Sequence, residues 1–63
     1  MAAYLVVLEI LRHGAPVGST ADRVEADTPG EAEEKAIAAW LQVRPGRQVR
    51  PLLTILEPTK HYI

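Results

Sequence analysis

A chain of 63 residues with formal charge −1 forms one domain at most, and one with a thin core, because so short a chain buries only about 60% of the surface its unfolded form exposes. The absence of cysteine excludes disulfides, thiolate chemistry and cysteine-ligated zinc, and it fits a reducing compartment. The longest apolar stretch, Tyr4 to Leu8, is far short of the roughly 20 residues of a membrane span. It also lacks the basic leader and cleavage site of a signal peptide, so a cytoplasmic protein with no membrane association is expected.

Residues 3–12 form a run of β-branched and aliphatic residues, too short and too uninterrupted for an amphipathic helix. As a strand it has one face of Tyr4, Val6, Leu8 and Ile10 and another of Leu5, Val7, Glu9 and Leu11. Both faces are largely apolar, which marks a central strand covered on two sides. His13-Gly14-Ala15-Pro16 breaks the run as a hairpin loop. Val17 to Asp27 alternates Arg23 and Glu25 against Val24 and Ala26, a pattern suited to an edge strand.

Thr28-Pro29-Gly30-Glu31 then places a hydroxyl at a helix N-cap, proline in the first turn and a carboxylate three residues after the cap. In the helix that follows, Ala32, Ala36, Ala39, Trp40 and Val43 share one stripe, expected to pack on the sheet with Trp40 in the core. Ile37 and Leu41 lie off that stripe. The helix should end near Val43, because Arg44 precedes Pro45-Gly46, a pair suited to a type II turn.

Gln48 to Glu57 reads as a third strand, with Val49, Leu53 and Ile55 set against Arg50, Leu52, Thr54 and Leu56. Pro51 lacks an amide donor and argues for a sheet edge. A crossover through the helix makes the third strand antiparallel to the first. The fold expected for residues 1–63 is therefore one α+β domain of order ββαβ, a three-stranded sheet of order 2-1-3 with one helix packed on one face.

Leu11-Arg12-His13-Gly14 resembles the signature of the histidine phosphatase and phosphoglycerate mutase family, in which a histidine at a strand end takes up phosphate beside an arginine. The resemblance covers four residues. The family pattern continues with an acid or amide and a later asparagine where this chain has Ala15, Pro16 and Val17, and it needs a second histidine, further arginines and a far larger α/β domain. His13 is therefore expected as an exposed loop residue.

His13 and His61 with Glu9, Asp22 or Glu57 lack the local spacing of a metal site. Ser19 and Thr20 have no orienting third group that would make a nucleophile of either. Glu31, Glu33 and Glu34 fit the solvated first turn of a helix, where the dipole favours anions. No catalytic residue, metal or cofactor is assigned.

Charge is uneven: residues 1–41 hold three basic and seven acidic side chains, and residues 42–63 hold four and one. Asparagine is absent, Met1 is the sole methionine and arginine outnumbers lysine five to two, a pattern that sets an expectation of thermophilic origin.

One helix cannot cover both faces of the first strand, so surplus apolar surface should be buried by another chain. A non-catalytic interaction module is expected, self-associating as a homodimer or larger homo-oligomer, or acting as an accessory subunit beside another protein. The residues named for self-association are Tyr4, Val6, Leu8, Ile37, Leu41, Tyr62 and Ile63. The alternative is a nucleic-acid-binding accessory protein that touches phosphates through Arg44, Arg47, Arg50 and Lys60 around the basic turn.

Overall fold

Strand β1 (Ala2–Arg12) leads through a two-residue turn into β2 (Ala15–Ala26), helix α1 (Pro29–Val43) follows, and β3 (Gln48–Leu56) ends the fold. The computed structural model of the chain describes residues 1–57. The sheet has the order β2-β1-β3, and β1 is antiparallel to both neighbours. This is the ββαβ arrangement that the sequence predicts, with the most hydrophobic strand in the middle.

The hairpin turn is tighter than a four-residue loop. His13 and Gly14 both take positive φ, 51° and 79°, while Arg12 pairs directly with Ala15. Two consecutive positive φ values in a two-residue connection match the twist of the flanking strands. Three residues on, Val17 is an extra residue: Leu11 pairs with Pro16, but Ile10 pairs with Gly18. A second extra residue, Leu52, interrupts β3, since Val7 pairs with Leu53 and Leu8 with Pro51.

The helix begins as the sequence specifies. Thr28 Oγ1 accepts a hydrogen bond from the Glu31 amide at 3.1 Å, and the Glu31 carboxylate accepts one from the Asp27 amide at 3.2 Å. The returning bond thus reaches Asp27, one residue before the cap. Replacing Thr28 with alanine should cost about 1 kcal/mol and lower the melting temperature by roughly 4–8 °C, measurable by far-UV circular dichroism.

Glu31 also meets Lys35 Nζ at 3.3 Å. The Asp27 amide first, and Lys35 second, hold its carboxyl below the ordinary glutamate value. A depressed folded pKa stabilises the fold above the unfolded value, about 4.3, and that contribution is lost as pH falls through the folded value. Denaturant titrations at stepped pH should show stability declining over this acid interval, and Glu31→Gln should flatten the decline.

At the other end of the helix the Arg47 amide donates to the Arg44 carbonyl at 3.3 Å, with Pro45 and Gly46 between them. Gly46 has φ 83°, as the third residue of a type II turn requires.

The helix covers one face of the sheet. Tyr4, Val6 and Leu8 of β1, Ala26 of β2, and Ala32, Ala36 and Trp40 of α1 form the buried core. The helix is rolled relative to the stripe predicted from the alanines. Ile37 and Leu41 pack half-buried against the core, whereas Ala39 and Val43 are exposed. Burying two large aliphatic side chains removes more apolar area from water than burying an alanine and a terminal valine. The Ile37 flank also carries Glu33, which accepts a hydrogen bond from Thr54 Oγ1 at 2.8 Å and so ties the helix to β3. Glu33 is thus a half-buried link rather than a solvated first-turn acid.

Candidate interaction surface

Residues directly opposite one another in neighbouring strands point to the same face, so the pairing register assigns every side chain to the helix side or the open side. Tyr4, Val6 and Leu8 fall on the helix side at 7%, 0% and 0% exposure. The expectation that they form a self-association surface is therefore corrected: they are core, shielded within the chain by α1. Ile37 and Leu41 pack half-buried against the same core. Tyr62, Ile63 and Lys60 lie outside the described residues.

The open face is built instead from the alternate residues. Its five rows, from the turn end toward the base, read Pro16–Leu11–Gln48, then Ser19–Glu9–Arg50, then Ala21–Val7–Leu53, then Arg23–Leu5–Ile55, and last Glu25–Ala3–Glu57. The last row closes through the Glu57 amide, which donates to the Ala3 carbonyl at 2.9 Å. The Val7 and Leu5 rows, between the charged rows, are apolar across β1 and β3. Leu53 is 53% and Ile55 44% exposed, with Leu5 and Val7 half-buried beside them.

The bulge at Leu52 produces this division. The sequence pattern groups Val49 with Leu53 and Ile55, but the extra residue sends Val49 to the core side opposite Ile10 and the other two to the open side. No side chain of β3 is fully buried, and Leu52, Leu53, Ile55 and Leu56 are all large and exposed. The strand thus carries more apolar surface than the described residues cover.

Charge frames the apolar rows. Arg50 Nε donates to Glu9 Oε1 at 2.6 Å at one end, and Arg23 Nε to Glu57 Oε2 at 2.8 Å at the other. The second pair crosses the central strand diagonally, between the side chain of Leu5 and the small Ala3. Glu57 raises the Arg23 pKa still further, so this guanidinium is charged at every accessible pH. Both pairs are largely exposed on the arginine side and contribute at most about 1 kcal/mol each to folding.

The described arginines named for nucleic-acid contact, Arg44, Arg47 and Arg50, have different surroundings. Arg50 is on the open face with Glu9. Arg44 lies over the Trp40 ring, 4.8 Å from its centroid, beside a cleft of about 530 Å³ between α1 and β2. Arg47 lines a separate cleft of about 350 Å³ with Arg12 and His13, where the hairpin turn approaches the α1–β3 turn. Arg12 and Arg47, 35 positions apart in the sequence, are brought together only by the strand register, so local charge runs do not reveal them.

Among the described residues no three His, Asp or Glu side chains converge as a metal cage would require, and no helix is long and apolar enough to cross a membrane. Compared with protein-family models, curated proteins and solved structures, the chain matches none.

Proposed function

We propose that this chain is a non-catalytic interaction module whose working surface is the open face of its sheet. The observation that carries this reading is the composition of the Val7 and Leu5 rows. Leu5, Val7, Leu53 and Ile55 adjoin one another across β1 and β3 on the side away from helix α1. A contiguous apolar patch rimmed by polar groups is the usual signature of a protein–protein contact. The ion pairs at both ends of the rows supply such a rim.

The experiment is association measured over a dilution series by light scattering, for the wild type and for Leu53→Glu. Association that is present in the wild type and lost in the variant supports the reading. A wild type that neither self-associates nor binds any host protein through this face overturns it.

A further inference from the structure

The open face is self-complementary, and we propose that its occupant is a second copy of this chain, related by a two-fold axis that runs across the strands between the two apolar rows. The inference rests on the interaction-module reading and adds the partner and the register. Such an axis keeps β3 above β3 of the second copy and exchanges the two ends of the face. Leu53 then meets Ile55, Val7 meets Leu5, and Arg50 of each copy meets Glu57 of the other.

The remaining positions agree. Ala21 faces Arg23 of the second copy and leaves room for its stem, while Ser19 faces Glu25. At each end the Glu9–Arg50 pair comes alongside the Arg23–Glu57 pair of the other copy, giving a row of alternating charges. Sheets stack about 10 Å apart, a gap that an arginine and a glutamate span together.

The other two-fold stacking, with the axis along the strands, places Glu9 on its own copy, Glu25 on Glu57 and Arg23 on Ile55. That arrangement sets like charges together at Glu9 and at both Glu25–Glu57 contacts and buries a guanidinium against an aliphatic side chain, so electrostatics select the first register. Pairing through the outer edge of β3 is obstructed by Pro51 and by the Leu52 bulge, both of which interrupt an edge ladder.

Two measurements test this register. In a mixture of ¹³C-labelled and unlabelled wild-type protein, isotope-filtered NOEs should connect Leu53 methyls to Ile55 and Val7 methyls to Leu5. Separately, Arg50→Glu and Glu57→Arg should each weaken self-association by roughly thirtyfold or more, since each homodimer then holds two like-charge contacts. Mixing the two folded variants in equal amounts should restore dimers near wild-type affinity, because in the mixed dimer every position 50 faces an opposite charge at position 57.

Failure of the mixture to recover, or filtered NOEs at other pairs on the open face, overturns the register. A monomeric wild type whose open face instead holds a different protein, with binding lost in Leu53→Glu, overturns the inference and leaves the interaction reading standing. A dimer with filtered NOEs only at the helix or a strand edge overturns both.

Discussion

Leu53→Glu is expected to abolish association while leaving the fold intact. Leu53 is 53% exposed and belongs to no core cluster, so a glutamate there stays solvated in the isolated chain and costs folding little. In an assembly that covers the open face the same carboxylate is stripped of water without a partner, at about 3 kcal/mol. Two-fold symmetry counts the substitution twice, so the dissociation constant should rise by roughly four orders of magnitude. Sedimentation equilibrium reads this directly, and a matched circular dichroism spectrum certifies the fold. Retention of wild-type affinity would remove Leu53, and with it the open face, from the interface.

The elements and their order were legible because each has a local signal. The capping residues Thr28 and Glu31, the Pro45-Gly46 turn and the greasy run of β1 are read from neighbouring residues alone, and each appears where its chemistry requires. The identity of the open face was not legible, because it depends on one extra residue in each outer strand. A two-residue turn at His13-Gly14 without a bulge would set Val24 opposite Ala3 and place Leu5 and Val7 under the helix. The extra Val17 shifts the pairing by one, so that Val24 faces Tyr4. A slip of one residue exchanges the two faces of a strand. Because β1 is apolar on both sides, its sequence does not say which side the helix takes. Leu52 has the same effect in β3, where strict alternation would have kept Val49, Leu53 and Ile55 together. The surplus of apolar surface followed from composition, whereas its address required the register.

Leu8→Ala should produce a large loss of stability. Leu8 is fully buried, and with Val6 it is one of the largest side chains wholly removed from water. Truncating a buried leucine costs about 2–5 kcal/mol through lost transfer energy and the cavity left behind. Among the described residues the buried core numbers seven, three of them alanine, and has few larger neighbours able to collapse into the space. Domains of this length rarely hold more than about 3–5 kcal/mol from a single core, so the variant should sit near its unfolding midpoint at low concentration. Association through the open face then becomes visible as stability, because a partner that binds only the folded chain adds a contribution that grows with concentration. The melting temperature of Leu8→Ala should therefore climb as protein concentration is raised. The double variant Leu8→Ala/Leu53→Glu should melt at a low temperature independent of concentration. Thermal scans across a hundredfold dilution separate the cases, and a Leu8→Ala melt indifferent to concentration would mean that the fold is stabilised by its own chain alone.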